Sequence, residues 1–434
     1  MDSKLLRGSA ESLIDFLYES PTAYQAVSNT KKILDENNFT EILESEKWNL
    51  KKGGKYYVIK NDSAIIAFTV GEEELAHSGF RLIGAHTDSP TFKIKPKNGI
   101  AVEDRYVKLN TEVYGGPIVS TWFDRPLAVA GKVITKSGNI FAPSEHIINI
   151  NRPLMLIPNL CIHFNREVNN GYKYNAQEDL LPLIGFVNES FEKEDYLLNV
   201  LAEELKVDKA EILDFELFLY EYEKGTVMGL NDEFISASRL DDLWMVYAGL
   251  QAILEENKKS TNVLVCMDHE EIGSATAMGA DSFFIRDTLE RVNISLGGNN
   301  EDFLRALSKS IMISADLAHA VHPNYTSKHD PSNRPLLGKG PVVKYSANQK
   351  YTTTGFSAAI FANLCEEVNV PMQKIVNRSD IAGGATMSKF ISSNLGIHVI
   401  DMGTPLLGMH SIRETGAVLD NYYVIEAFKK FYTA

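Results

Sequence analysis

A mixed α/β fold is predicted for this chain of 434 residues, and three observations predict it. Apolar, β-branched runs at residues 80–85, 262–266 and 311–315 each read as a buried strand and each stop abruptly at polar, acid-rich residues. Apolar positions at helical spacing lie between those runs. From about residue 93 to 235 the texture changes to short β-rich runs with frequent breakers, which reads as a domain inserted into the first one. The expected division is therefore 1–92 with 236–434, interrupted by 93–235.

Taken in order, Leu13, Phe16 and Leu17, then Tyr24, Val27 and Leu34, mark two helices separated at Ser20-Pro21. Residues 55–59 and 63–70 are two β-rich runs around Lys60-Asn61-Asp62, a hairpin pattern. A third strand at 80–85 runs directly into His86-Thr87-Asp88-Ser89-Pro90. In the inserted block, residues 108–114, 130–134 and the apolar run 159–164 carry the β texture, and a helical pattern returns at 196–204. Ser238 to Leu243 opens an amphipathic helix over 244–254, with Asp241 and Asp242 at its start. The strand at 262–266 leads to Asp268-His269-Glu270-Glu271, and the strand at 311–315 leads to Asp316. His319, His322 and His329 follow in a loop, and the last unit carries His398, Asp401 and His410.

Composition narrows the function classes. A net charge of -14 disfavours nonspecific binding to nucleic acid or to an anionic membrane surface. No apolar stretch has the length of a membrane span, and the amino-terminal residues lack a signal-peptide core, so a cytoplasmic location is expected. Three widely spaced cysteines, Cys161, Cys266 and Cys365, make neither a disulfide framework nor a thiolate zinc site. A metal here would be held by histidine and carboxylate.

Ligands in open α/β sheets sit at the carboxyl ends of the strands, where this chain places its candidates. Adjacent Glu270 and Glu271 repel one another and, if buried, need cations, separate solvation or a shared proton. A metal meets that need if one ligates while the other faces the attacking water as general base. Two solvated glutamates capping the next segment are the ordinary alternative. His86 and Asp88, two apart at a strand exit, suit a metal-ligating imidazole oriented by a carboxylate, or a histidine in a polar turn. Asp241 is either a helix-capping acid or a metal-bridging one. His163 in the inserted block reads from its own surroundings as a core histidine. Together, His86, Glu270, Glu271 and Asp316 at strand exits with Asp241 and His410 offer two histidines and three carboxylates, with one carboxylate spare, and could serve two divalent ions, each with one imidazole, one terminal carboxylate and a shared bridge. That set points to a two-zinc hydrolase.

Several longer segments sharpen this reading: Gly84 to Pro90, Arg239-Leu240-Asp241, Glu270 to Ser274, Ser314 to Tyr325, and Leu407 to Glu414. Over nearly its whole length the chain resembles the M18 metallopeptidases, the aspartyl aminopeptidase family. The resemblance implies a zinc-peptidase-type catalytic domain, a mixed sheet flanked by helices, carrying an inserted β-rich domain for dimerisation and substrate gating. It implies a zinc aminopeptidase that releases an acidic N-terminal residue from short peptides with a free N-terminus. Asp241 would bridge two zincs per subunit, with His86 and Asp316 completing one site and Glu271 and His410 the other; manganese or cobalt suits the same donors. Glu270 would be the base and Asp88 would orient His86. His163, His319, Lys344 and Tyr351 match substrate-side positions, with Lys344 the cation for an acidic side chain. His163 would reach a neighbouring subunit's site within a tetrahedral dodecamer of dimers, or alternatively ligate zinc itself. The Asp241-Asp242 peptide would be cis. Asp242 departs from the family, where a neutral amide is familiar, and puts the local charge balance in question. A related two-zinc dipeptidase or deacylase, and a catalytically silent oligomeric scaffold, are the competing readings.

Overall fold

The computed structural model describes residues 3–187, 196–256 and 259–434. Its contacts divide into two compact units, one of Met1–Asp88, Gly225–Met409 and Glu414–Ala434, the other of Ser89–Lys224 with His410–Arg413.

The first unit is built on a sheet of nine strands among the described residues. Its order is Thr40–Glu41, Lys55–Lys60, Ala64–Thr69, Thr261–Met267, Phe80–His86, Ile311–Ala315, His398–Gly403, Val342–Tyr345 and Gln373–Val376. The central strands alternate their side chains between two cores. Ile83, Leu264, Ile313 and Ile400 face one; Leu82, Val263, Met312 and Val399 face the other. Both faces are covered, which is why these runs read as continuously apolar. Ser3–Glu19, Leu240–Ile253, Gly355–Glu367 and Val418–Thr433 supply the first layer, while Phe284–Ser295, Asn300–Lys309 and Ser388–Leu395 supply the second. Asn299 caps one of these helices through its side chain to the Glu301 and Asp302 amides, satisfying donors that a helix start leaves open.

Helix Leu240–Ile253 departs from the amphipathic pattern. Its residues from Leu240 to Leu250 are all buried, because it lies against the sheet on one side and under Ser3–Glu19 and Val418–Thr433 on the other. Trp244 Nε1 donates to Asn421 Oδ1 at 2.8 Å within that packing, the partner an indole needs when buried. A helix apolar on all sides is the expected form at such a position.

The parallel register positions the chemistry. Phe80–His86 runs parallel to both Thr261–Met267 and Ile311–Ala315, with His86 opposite Met267 and Gly84 opposite Ser314. The three strands therefore finish at one edge of the sheet, where their following residues are His86 to Asp88, Asp268 to Glu271, and Asp316.

The second unit is an antiparallel sheet in the order Ser144–Met155, Leu127–Thr135, Ile212–Glu221, Thr91–Val102, Tyr106–Tyr114 and Leu183–Phe186. Phe92, Leu109, Trp122, Ile150 and Leu217 form its core, and helix Tyr196–Leu205 adds Leu197 and Leu201. The run 159–164 is not a strand. It forms a turn that exposes Leu160, Ile162 and Phe164, so its apolar composition does not serve this unit's core. His163 is exposed in the same turn, which excludes the core-histidine reading. Long strands Ser144–Met155 and Ile212–Glu221 gave no clear signal in the sequence.

Candidate metal centre

His86 ends its strand buried, and three contacts fix its ring. Its Nδ1 lies 3.0 Å from the Asp88 carbonyl oxygen and 3.3 Å from Asp88 Oδ1, while Nε2 lies 3.6 Å from Asp241 Oδ1. An Nδ1–H donated to Asp88 leaves Nε2 as the free ring nitrogen on the Asp241 side, the tautomer a metal ligand needs.

Asp88 does more than orient an imidazole. Its Oδ1 accepts the Glu270 amide at 3.1 Å and its Oδ2 the Glu271 amide at 3.2 Å, so one buried carboxylate caps the short 3-10 turn Glu270–Ile272. The two glutamates and His86 are thereby tied to a single anchor. Asp241 sits buried at the start of its helix in non-helical conformation, its amide donating to Glu414 Oε2 at 2.9 Å. The Asp241-Asp242 peptide is cis, as the resemblance implied.

Asp242 is fully buried, and its Oδ2 accepts the His86 amide at 3.1 Å. Burial pushes its carboxyl well above the ordinary range, with His86 opposing and the Asp316 and Asp241 charges reinforcing the rise.

Asp316 follows its strand and is positioned by its amide to Met402 O at 2.9 Å. A Cβ on Gly403 would fall 1.9 Å from the Asp316 carbonyl oxygen, so only glycine allows this approach. Lys344 is buried on strand Val342–Tyr345, not on the surface. Its ammonium donates to Asp316 Oδ1 at 3.0 Å, lies 3.8 Å from Asp401 Oδ1, and stands 5.4 Å from the centre of the buried Tyr351 ring. Burial works against its charge, but Asp316, Asp401 and Tyr351 hold its pKa above the usual lysine range. His319 is exposed on the short strand Ala318–His319.

His410 groups with the second unit. It has a left-handed backbone, φ 67°, and its Nδ1 lies 3.0 Å from the Gly116 carbonyl oxygen.

The donor set of the first unit suits a divalent cation. Ligand atoms of His86, Asp241 and Asp242 lie within 4.8 Å of one another, and imidazole with carboxylate oxygen is a donor set that zinc accepts. The surroundings concentrate negative charge. Burial pushes Glu270 up to about 8, with His86 opposing and Asp316, Asp88 and Asp241 adding to the rise. Carboxylates crowded this way need positive charge to ionise together, and a bound cation supplies it.

Three acidic residues escaped notice as site residues. Asp242 and Glu414 hold the backbone of His86 and Asp241, and Asp401 pairs with Lys344 from strand His398–Gly403. An acid inside an otherwise apolar strand was the available signal for Asp401.

A mixed sheet whose parallel strands deliver a histidine and clustered carboxylates to one edge offers the donors that a metal-dependent enzyme needs. A family model described as Aminopeptidase I zinc metalloprotease (M18) matches residues 16–432. A probable M18 family aminopeptidase 2 of Clostridium novyi is 56% identical over 424 residues, 98% of each chain. The crystal structure of an M18-family aminopeptidase from Thermotoga maritima superposes with a TM-score of 0.88 at 27% identity, covering 100% of this chain and 97% of that one. A mApe1 dodecamer of S. cerevisiae gives 0.85 at 26% identity, covering 97% and 95%. This chain belongs to the M18 family of zinc aminopeptidases. Among the described residues, no helix is long and apolar enough to cross a membrane.

Proposed function

We propose that the chain is a two-zinc, cytoplasmic aminopeptidase that removes acidic N-terminal residues from short peptides. The observation that carries the mechanism is the double acceptance by Asp88 of the Glu270 and Glu271 amides beside His86. One carboxylate thereby sets the positions of a proposed ligand pair and of the base.

Asp241 would be shared by two zincs, with His86 and Asp316 on one and Glu271 and His410 on the other. Zinc supplies Lewis acidity, which polarises the scissile carbonyl and acidifies the attacking water. Glu270 takes the proton from that water as its oxygen adds to the carbonyl carbon, then delivers it to the leaving nitrogen as the C–N bond breaks. Two roles for one carboxyl require a pKa near the working pH, and burial of Glu270 raises it from the usual carboxylate range, the neighbouring carboxylates adding to the rise.

Acidic specificity is assigned to Lys344. The chain's net charge of -14 opposes an approaching aspartyl or glutamyl side chain, so a local cation is needed. Lys344 keeps its charge although buried, and an ammonium has two donors beyond the one directed to Asp316. His319 and Tyr351 are placed on the substrate side by family position. His163, exposed on the second unit, is assigned to donate to the developing oxyanion in a neighbouring subunit, a contribution of a few kcal/mol in such sites. A homo-oligomer follows, and a tetrahedral dodecamer of dimers is the assembly we carry over from the family.

The test is hydrolysis of aspartyl, glutamyl and leucyl chromogenic substrates, each free and N-acetylated. Cleavage confined to free N-termini and fastest for the acidic pair is expected. Preference for leucyl substrates would remove the acidic specificity, and cleavage of the acetylated ones would favour a deacylase.

A further inference from the structure

We infer that Glu221, Arg413 and Gly116 are positioning residues for a metal ligand: they form a mount in the second unit that fixes His410 for one of the two zincs. This rests on the reading of His410 as a ligand.

The segment His410–Arg413 is a tetrapeptide whose chain neighbours on both sides belong to the first unit, yet it is fastened along its length to the second. The Ile118 amide donates to His410 O at 2.8 Å, and the Ile412 amide donates to Thr121 Oγ1 at 2.9 Å. Ile412 is itself buried in the second unit's core. Arg413 ends the segment in a fork. Its guanidinium lies 3.1 Å through Nε and 3.0 Å through Nη2 from Glu221 Oε2, and Nη2 also donates to Glu223 O at 3.0 Å.

Glu221 makes this fork more than a surface ion pair. Its side chain has no solvent exposure, and Arg125 Nη1 reaches its other oxygen at 2.5 Å. A fully buried carboxylate between two guanidiniums has rigid geometry, and removing the carboxylate leaves the two cations together without their shared counter-charge. Exposed pairs do not have this property.

The imidazole gains a defined tautomer from the same mount. With Nδ1–H donated to the Gly116 carbonyl, Nε2 is left as the lone-pair nitrogen, and His410 keeps a left-handed backbone that a non-glycine residue holds only when its surroundings enforce it. Outer partners of metal-bound histidines typically carry about 10–100-fold of metal affinity.

The experiment titrates chelator-stripped full-length protein with zinc against a competing zinc dye, for the parent, Glu221→Gln, Arg413→Lys, Arg413→Ala and His410→Ala. The expected result is one unchanged tight zinc in every variant. The second zinc should be weakened about 10–100-fold in Glu221→Gln and Arg413→Ala, partly restored in Arg413→Lys, and lost in His410→Ala. Far-UV circular dichroism and oligomer size should match the parent. If His410→Ala loses the second zinc while Glu221→Gln and Arg413→Ala bind it as the parent does, the mount is refuted and the ligand reading stands. If His410→Ala still binds two tight zincs, the ligand reading itself fails. Equal weakening of both zincs with altered circular dichroism would mark a general folding defect and overturn the specific role.

Discussion

Replacing Asp88 by asparagine tests the bracing of the glutamate turn. Asp88 accepts two backbone donors, at 3.1 and 3.2 Å, and faces His86 Nδ1 at 3.3 Å, all with the carboxylate buried. An asparagine keeps the shape but offers only one acceptor oxygen. Its NH2 group must then face either the Glu270 or the Glu271 amide, donor against donor. A hydrogen bond to a charged acceptor contributes about 1.5–3 kcal/mol, and the stranded amide adds a desolvation cost of similar size. A loss of about 3 kcal/mol confined to the positioning of the base corresponds to roughly a hundredfold in kcat. The assay is steady-state hydrolysis of an aspartyl substrate at saturating zinc, with zinc affinity measured separately. The Asp88→Asn protein should show that fall in kcat with KM little changed and zinc held less tightly. Parent-like kcat at full zinc loading would refute the bracing argument.

Other consequences follow from the same geometry. Glu270→Gln should retain zinc while losing activity by orders of magnitude, because an amide cannot take the proton of water; parent-like turnover would remove Glu270 as base. Gly403→Ala should weaken zinc binding and activity together by displacing Asp316, whose carbonyl lies where the new methyl would go; unchanged zinc affinity would contradict this. Burial pushes Asp420 up to about 7 even though the Gly338 and Gly340 amides donate to it and oppose the rise. An unfolded aspartate releases its proton near about pH 4, so between those values the native state binds the extra proton. Stability should fall as pH rises through that window, by at most about 4 kcal/mol, and level off above it. Urea denaturation of parent and Asp420→Asn should show a flatter pH dependence in the variant, and identical slopes would contradict the assignment.

Local sequence disclosed the strand exits because each combines an apolar run with an abrupt polar stop, a signal contained in a few consecutive residues. His86, Glu270, Glu271 and Asp316 stand out on that basis, and parallel register brings the ends of their strands to one edge of the sheet. Features depending on distant partners were not visible. Glu414 meets the Asp241 amide across 173 residues and Asp242 meets His86 across 156, so neither pairing leaves a local pattern. Lys344 is buried against Asp316 and Asp401, partners from other segments that its own stretch of sequence does not disclose. Helix Leu240–Ile253 was expected to be amphipathic, but it is enclosed by helices from both ends of the chain. The exposed turn around His163 shows the converse: apolar residues that composition assigns to a core lie outside this unit's own interior.

Zinc titration of the chelator-stripped protein, followed by release of aspartate from a free aspartyl peptide, tests the central claim most directly. Activity should be absent without metal, rise with added zinc and level off at two equivalents per subunit, while Glu270→Gln loaded to the same extent stays inactive. Full activity in the metal-free protein, or saturation at a single equivalent, would contradict the two-zinc account.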